Sequence, residues 1–147
     1  MRRPATLADV EAIVLMGERF RSQTTYATTV GKSPESVRAL TTRMVTGDDS
    51  IVFVAEDPET GDLVGMIAVL LYTHYMSGAK KAIELVWWVD PDQRGALGVR
   101  LLRDAERWAR AHGAEALEMI APNPRVERLY DRLGYTPVER MYFRRLP

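Results

Sequence analysis

Three small residues at a strand-to-helix junction have the spacing of an anion-binding loop. In the stretch DPDQRGALGVRLL, Gly95, Ala96 and Gly98 follow an apolar run and precede a helical pattern. The first backbone N–H groups of a helix have no partner within it and carry the positive end of the helix dipole, so they can bind a pyrophosphate. Small side chains let phosphates approach the backbone, and Arg94 and Arg100 add positive charge. The same residues would also suit a plain strand-to-helix turn, which the spacing alone does not exclude.

Glu84 is the unexpected residue of the apolar run AIELVWWV, residues 82–89. A carboxylate is out of character in such a run, and partial burial would raise its pKa toward neutrality. A carboxylate with a raised pKa can serve as a general base. The alternative is a carboxylate at a solvated strand edge or one paired with an arginine, since ion pairs also perturb carboxylates.

The stretch NPRVERLYDRLGY contributes an asparagine and a tyrosine to a third candidate region. Asn123 precedes Pro124 and therefore has the position of a helix N-cap. Tyr130 shares an apolar stripe with Leu129 and Leu133, which by itself is typical of a core aromatic residue. The pattern alone therefore leaves Asn123 a cap and Tyr130 a core residue.

The elements that must position these residues follow from hydrophobic periodicity and from turn and cap residues. Helices are predicted at 7–21, 34–46, 97–112 and 124–133, with a Thr-rich loop at 22–32. Strands are predicted at 3–5, 51–55, 63–73, 82–89, 117–120, 135–138 and 141–146. The resulting order is β-α-α-β-β-β-α-β-α-β-β. Because a strand–helix–strand step implies a parallel crossover and the hairpins imply antiparallel pairs, we expect an α/β fold with a mixed sheet.

Length and composition narrow the classes of function. A chain of 147 residues favours one domain, 1–147. Lys plus Arg is 20 and Asp plus Glu is 20, so the formal net charge is zero and no general affinity for nucleic acid or an anionic membrane is expected. Without cysteine there is no disulfide framework and no cysteine nucleophile, and two scattered histidines, His74 and His112, do not suggest a metal site. The longest apolar run, 66–72, is too short to span a bilayer and the stretch MRRP leads into no signal-peptide core, so we expect a cytoplasmic protein.

The junction loop resembles the acetyl-CoA pyrophosphate loop of the GNAT N-acetyltransferase superfamily, whose pattern is Gln/Arg-x-x-Gly-x-Gly/Ala. The ungapped match places Gln93 first, Ala96 fourth and Gly98 sixth, and it departs from the pattern at Ala96, where glycine is usual. A second register begins at Arg94 and deletes one residue of the loop. Both registers place the phosphates on the amides of about Arg94 to Val99. The order of elements also resembles that of the family over essentially the whole chain, which implies its fold, with about four helices around the sheet.

The third candidate region, NPRVERLYDRLGY, is similar to the family's Asn-x-x-(x)-x-x-x-Tyr-x-x-x-Gly-Phe/Tyr segment. The resemblance implies that Asn123 contacts the CoA arm, that the Tyr130 hydroxyl protonates the leaving thiolate, and that Glu84 is the base. It also implies that the pantetheine arm lies where the strand of Glu84 separates from the next strand, beside backbone groups near Trp88 and Val89, one of which polarises the thioester carbonyl. The cofactor-binding residues expected on this basis are Trp88, Val89, Arg94, Gly95, Ala96, Leu97, Gly98, Val99, Asn123 and Tyr130.

The implied reaction is direct attack of a primary amine on acetyl-CoA in a ternary complex, without a covalent enzyme intermediate. In the resembling fold the acceptor site lies between the 22–32 loop and the hairpin near 72–81, which points to Tyr26, Tyr72 and His74. His74 is either an alternative base or a polar turn residue. The sequence does not decide whether the acceptor is a small-molecule amine or a protein amine.

Two other classes of function remain beside the enzyme. The chain could be a non-catalytic acyl-CoA-binding sensor, a possibility to which Ala96 lends weight, although a sensor needs neither Tyr130 nor Glu84. It could also be an interaction protein that uses the arginine-rich face of helix 97–112, although the balanced charge makes that face look simply solvated. Many members of the family dimerise, so the resemblance also favours a homodimer.

Overall fold

The computed structural model describes all residues, Met1–Pro147. The strands are β1 Arg2–Pro4, β2 Ser50–Glu56, β3 Leu63–Thr73, β4 Lys80–Val89 and β5 Leu117–Glu118. The helices are α1 Val10–Ser22, α2 Tyr26–Thr29, α3 Pro34–Thr46, α4 Ala96–Ala111 and α5 Pro124–Leu133, with 3-10 turns at Leu7–Asp9 and Pro91–Gln93. No helix combines the length and the apolar character needed to cross a bilayer.

The five strands form one mixed sheet in the order β1-β2-β3-β4-β5. The first three pairings are antiparallel, whereas β4 and β5 are parallel. The parallel pair arises because α4 carries the chain from the end of β4 back to the start of β5. The predicted mixed α/β sheet is confirmed.

Helices cover both faces of this sheet. On one face Met16 of α1 and Met44 of α3 pack against Trp88, in a core that also contains Val54 and Met66. On the other face the apolar stripe of α4 packs against residues of β3 and β4; its fully buried members are Leu101, Leu102 and Ala105. Because side chains alternate along a strand, neighbouring residues of β3 and β4 supply opposite cores. The functional strand β4 is therefore fixed from both sides.

The region between the first two predicted helices differs from the expectation of a loop. It contains the four-residue helix α2, so the structure has five α-helices rather than about four. Backbone bonds such as Thr29 N to Thr25 O, 3.2 Å, form this turn. The threonine hydroxyls of Thr28 and Thr29 also bond to the Thr25 carbonyl and satisfy it locally, so a Thr-rich sequence is compatible with a short helix here.

Three predicted strands were wrong in whole or in part. The strand expected at 117–120 stops at Glu118, because the next residues turn away from β4. The strands expected at 135–138 and 141–146 do not form. A strand exists only where its backbone groups meet those of a neighbour, and the chain brings no free edge alongside these residues. These residues therefore have the alternating apolar pattern of a strand but form no hydrogen bonds to a neighbouring strand.

One charged cluster joins the start of the chain to the sheet. The Arg3 guanidinium donates to Asp9 at 2.7 and 2.9 Å and to Glu56 at 2.5 Å, which links β1, the first 3-10 turn and β2. The hydrogen bonds from Arg3, together with those from Thr6, lower the pKa of Asp9 from 3.8 to about 2, although burial opposes them.

Because of this lowered pKa, the free energy of unfolding depends on pH in the acidic range. A carboxyl group whose pKa is lower in the folded protein stabilises the fold above its unfolded pKa and loses that contribution as the pH falls through the folded pKa. We expect Asp9→Asn to lower the free energy of unfolding by about 2 kcal/mol at neutral pH and to weaken its decline between about pH 4 and pH 2. Urea unfolding across this range is the measurement; an unchanged decline in the variant would contradict the prediction.

Candidate active site

The strands β4 and β5 diverge after two residue pairs. Their register contains only Ala82 with Leu117 and Ile83 with Glu118, so β4 has no strand neighbour on this side from Glu84 onward. The pairing of β4 with β3 is also irregular here, since Ala68 lies opposite Val86 while Val69 lies opposite Glu84. A bulge of this kind bends and twists a strand. The result is a wedge-shaped gap that opens beside Glu84.

Glu84 lies at the closed end of this gap. Only 3% of the residue is exposed, and no cation lies within salt-bridge distance of it. Both alternatives drawn from the sequence, a solvated edge and a pairing with arginine, are therefore wrong. Burial raises the pKa of Glu84 from 4.5 to about 7, and a 3.0 Å hydrogen bond from the Ile120 N–H to Oε2 opposes this rise without cancelling it.

Tyr130 of α5 binds the backbone of the same residue, Ile120. Its hydroxyl donates to the Ile120 carbonyl at 3.2 Å, and its ring stacks on Trp87 with centroids 5.8 Å apart. Burial, and then the neighbouring charge of Glu84, raise the pKa of Tyr130 far above its usual value. Burial, and then the charge of Glu84, also raise the pKa of Tyr26 on α2. The fold thus brings Glu84 and Tyr130, which are far apart in sequence, together at Ile120.

The start of α4 differs from the starts of α3 and α5, each of which is capped by a side chain. Asn123 Oδ1 caps α5 at 3.1 Å from the Val126 N–H, and Ser33 Oγ caps α3 at 3.2 Å. By contrast, Gly95 precedes α4 with φ +118°, has no side-chain cap, and is followed by no acidic residue in the first turn. The first N–H groups of α4 are therefore available to an anion.

Two residues of this loop have structural contacts that the sequence did not reveal. Gly98 is buried, and a Cβ there would lie 3.3 Å from Cζ2 of Trp87, so its missing side chain permits close packing of α4 on β4. The Arg94 Nε donates to the Val89 carbonyl at 3.1 Å, and its guanidinium lies 5.0 Å above the Trp88 ring. The loop is thus held firmly against the end of β4.

Most of the chain matches a known protein family. A family model described as the acetyltransferase (GNAT) family matches residues 18–135. This chain belongs to the acetyltransferase (GNAT) family. No curated protein sequence matches the chain significantly.

The fold of this GNAT acetyltransferase is shared with solved structures of low sequence identity. A variant of the BH1408 protein from Bacillus halodurans has a TM-score of 0.83 and 20% identity, covering 100% of this chain and 99% of that chain. An acetyltransferase of Trypanosoma brucei has a TM-score of 0.77 and 21% identity, covering 99% of each chain. The third, AAC(6')-Iy in complex with the bisubstrate analogue CoA-S-monomethyl-acetylneamine, has a TM-score of 0.79 and 16% identity, covering 100% and 97%.

Two residues expected at the acceptor site of this GNAT acetyltransferase have partners within the chain: Tyr72 binds a residue of β5, and His74 binds within its own turn. The Tyr72 hydroxyl donates to Glu118 Oε2 at 2.6 Å, and this bond raises the pKa of Tyr72 to about 12. His74 stacks on Tyr75 with centroids 5.2 Å apart, and its Nδ1 accepts from the Met76 N–H at 3.3 Å. These contacts agree with a turn residue, the second of the two roles considered for His74.

Sequence reasoning missed the residues that support the site through their backbone or through ion pairs. Ile120 contributes only its backbone N–H and carbonyl, for which a side-chain pattern contains no signal. Asp90 accepts from Trp88 Nε1 at 2.8 Å and from Arg19 at 3.0 Å, and so joins α1 to the end of β4. The apolar run followed by Asp90-Pro91 marked only the strand end, and nothing in it specified Arg19 as the partner. No group of three or more His, Asp or Glu side chains is arranged to hold a metal ion.

The buried Glu84 should cost stability at high pH. A carboxyl group whose pKa is raised in the folded protein stabilises the fold below its unfolded pKa, and this contribution is lost as the pH rises through the folded pKa. The relevant range is from 4.5 to about 7. We therefore expect the free energy of unfolding of Glu84→Gln to rise relative to that of the parent protein as the pH increases through this range. Above about pH 7 the difference should reach about 3 kcal/mol. Urea unfolding near pH 5 and near pH 8 measures this gain, and a difference independent of pH would contradict the burial of the charge.

Proposed function

We propose that this chain is an acetyl-CoA-dependent N-acetyltransferase that acts on a primary amine by direct attack in a ternary complex. The observation that carries the proposal is the convergence of Glu84 and Tyr130 on the backbone of one residue, Ile120, at the closed end of the β4–β5 gap: Glu84 accepts from its N–H and Tyr130 donates to its carbonyl. A buried base and a buried hydroxyl beside an open strand gap suit acyl transfer from a thioester. Residues 1–147 act as one catalytic domain in this proposal.

The residues present fit acetyl-CoA at two places. The uncapped start of α4, with Gly95 open to solvent and Arg94 and Arg100 nearby, fits the pyrophosphate on the amides of residues 94–99. The β4–β5 gap leaves backbone near Trp88 and Val89 without a strand neighbour on one side, which fits an extended pantetheine arm. Asn123 caps α5 and is proposed to contact the arm as well, as the resemblance implies. Bound there, acetyl-CoA supplies an activated acyl group.

Glu84 is proposed to take the proton that the amine must lose. An alkylammonium ion does not attack a carbonyl group, and an ordinary carboxylate is a weak base for it. With a pKa of about 7, Glu84 is a stronger base than an exposed carboxylate and is still substantially ionised at neutral pH. Its position away from any cation keeps this basicity, since a paired arginine would lower the pKa.

Tyr130 is proposed to stabilise the leaving thiolate. Its raised pKa keeps the hydroxyl protonated throughout the physiological range, so it remains a donor. In the structure that hydrogen bond goes to the Ile120 carbonyl, an acceptor weaker than a thiolate. A developing negative charge on sulfur would therefore compete for the same proton, and the stacking of the ring on Trp87 holds the hydroxyl in place for it.

The acceptor is proposed to enter beside α2, where Tyr26 lies near Glu84, with Tyr72 at the outer wall. Among proteins of the same fold, AAC(6')-Iy binds an analogue that joins CoA to acetylneamine, and another is a ribosomal-protein-alanine N-acetyltransferase of Brucella melitensis. Both small-molecule amines and protein amines are thus accepted on this fold, and the acceptor of this chain is proposed only as a primary amine.

Binding of acetyl-CoA should be visible as thermal stabilisation. A ligand that binds only the folded protein adds about 2.7 kcal/mol at a concentration near one hundred times its Kd, which corresponds to a rise of several degrees in Tm. We expect this rise with acetyl-CoA and none with NADH, measured by differential scanning fluorimetry; ATP tests whether adenine and phosphates suffice. The absence of a rise at millimolar acetyl-CoA would refute the cofactor site.

Turnover tests the roles of the two side chains. With a panel of amines and detection of free CoA thiol, we expect the parent rate to rise with pH through about 7 as Glu84 ionises. Glu84→Gln and Tyr130→Phe should each lower kcat by about a hundredfold, the usual range for one acid or base, while the Kd of acetyl-CoA stays within about threefold.

Phe143→Leu, at an exposed position outside the gap, is the matched control and should keep the parent rate. Parent rates in both site variants would show the roles to be wrong. Binding of acetyl-CoA without turnover of any amine would instead favour the sensor.

A further inference from the structure

The indole N–H of Trp87 is the one buried polar side-chain group of the chain that has no hydrogen-bond partner. A donor that is shut off from water and lacks an acceptor destabilises the folded protein, so its presence in a native structure calls for a reason. The neighbouring tryptophan shows the usual arrangement, because Trp88 Nε1 donates to Asp90 Oδ1 at 2.8 Å. Trp87 therefore carries a donor that the chain itself does not use.

The nitrogen side of the Trp87 ring faces the first turn of α4. A Cβ at Gly98 would lie 3.3 Å from Cζ2 of this ring and 3.7 Å from Cε2, the carbon to which Nε1 is bonded. Gly98 is the third residue of α4, whose start has no side-chain cap. The unused indole donor thus lies beside the uncapped start of this helix.

The backbone donors at the start of α4 are also unused. None of the N–H groups of residues 95–98 donates to a backbone carbonyl or a side chain of the chain. At the start of α5, by contrast, the Val126 N–H donates to the Asn123 side chain at 3.1 Å. The indole N–H of Trp87 is therefore an observation independent of the helix itself, and it adds a side-chain donor to a group of free backbone donors. Such a group fits an anion with several oxygens.

The Trp87 ring also forms one side of the contact between β4 and α5. It stacks on Tyr130, with ring centroids 5.8 Å apart and planes inclined by 19°. The residue is only partly buried, although its Nε1 is fully covered. A small shift of a stacked ring within its own plane keeps the stacking contact, so such a shift can uncover the N–H without separating Trp87 from Tyr130.

We infer that Trp87 is a cofactor-binding residue, whose indole N–H donates to a phosphate oxygen of the CoA pyrophosphate at the start of α4 after a small in-plane shift of the ring. This inference rests on the proposed function, since it requires CoA to bind at that helix start. A hydrogen bond to a charged phosphate is stronger than one between neutral groups. Because the same ring stacks on Tyr130, the contact also joins the phosphate site to the hydroxyl proposed to act on the thiolate.

Calorimetric titration with CoA provides the first test. Trp87→Phe keeps an aromatic ring beside Tyr130 but has no N–H, and we expect it to raise the Kd of CoA by at least about tenfold. The matched control is Trp108→Phe in the last turn of α4, where the ring stacks on His112 with centroids 4.4 Å apart. This control should keep the parent Kd.

The outcomes of this titration separate the inference from the proposed function. A parent Kd in Trp87→Phe, or equal weakening in Trp87→Phe and Trp108→Phe, would overturn the inference. A purely structural role for Trp87 would lower the Tm of the free protein and leave the Kd unchanged, which would also overturn it. If the parent chain itself does not bind CoA, the proposed function fails instead.

Nuclear magnetic resonance of the parent chain supplies a second test that requires no variant to fold. The three tryptophans give three indole N–H signals, which are assigned from their connectivities. We expect saturating CoA to move the Trp87 indole proton downfield, because the proton gains a hydrogen bond to phosphate. Millimolar ADP, which contains a pyrophosphate, should act in the same direction, and pantetheine, which has no phosphate, should not. An unmoved Trp87 signal at saturating CoA, or a shift with pantetheine in place of ADP, would refute the contact.

Discussion

The site depends on the backbone N–H and carbonyl of one residue, Ile120, which leaves the β-ladder so that these groups bond to two side chains. In a regular parallel pair its N–H and carbonyl would be bonded to β4. Here the N–H donates to Glu84 and the carbonyl accepts from Tyr130, because β5 separates from β4 after Glu118. The separation both opens the gap and satisfies the backbone groups that it frees. Had β5 continued to residue 120, Glu84 would have lost its donor and the gap would have closed.

Burial of Glu84 without a cation is the main energetic consequence of this arrangement. An ion pair would stabilise the folded protein but would lower the pKa of the carboxyl group. The structure instead buries Glu84 with only a backbone donor, that of Ile120, and the burial raises its pKa to about 7. Elsewhere the chain pairs its buried carboxylates with arginines, as Asp9 is with Arg3 and Asp104 with Arg2. Glu84 thus differs from these two buried carboxylates in that no arginine is paired with it.

The end of β4 is held by contacts from three elements. Asp90 binds Arg19 of α1 and the indole N–H of Trp88, Arg94 covers the Trp88 ring, and Gly98 lets α4 approach Trp87 closely. These contacts fix the start of α4 relative to the gap. A loop rich in small residues needs such support to keep one conformation, because glycine leaves its backbone flexible. Ala96, the departure from the family pattern, is exposed at the first position of α4 and disturbs none of these contacts.

The sequence by itself determined the mixed α/β fold, the four long helices and the central strands, because hydrophobic periodicity, caps and glycines act locally. It also singled out Glu84, since a carboxylate in an apolar run conflicts with its surroundings. Only the tertiary structure decided that Glu84 is buried without an arginine, that Glu84 and Tyr130 both bind the backbone of Ile120, and that Gly98 serves packing. These depend on where distant segments meet, and backbone partners such as Ile120 have no side-chain signal. The segment 136–147 is a case in which the local pattern was misleading. Its alternation predicts a strand, but alternation cannot provide the neighbouring edge that a strand requires.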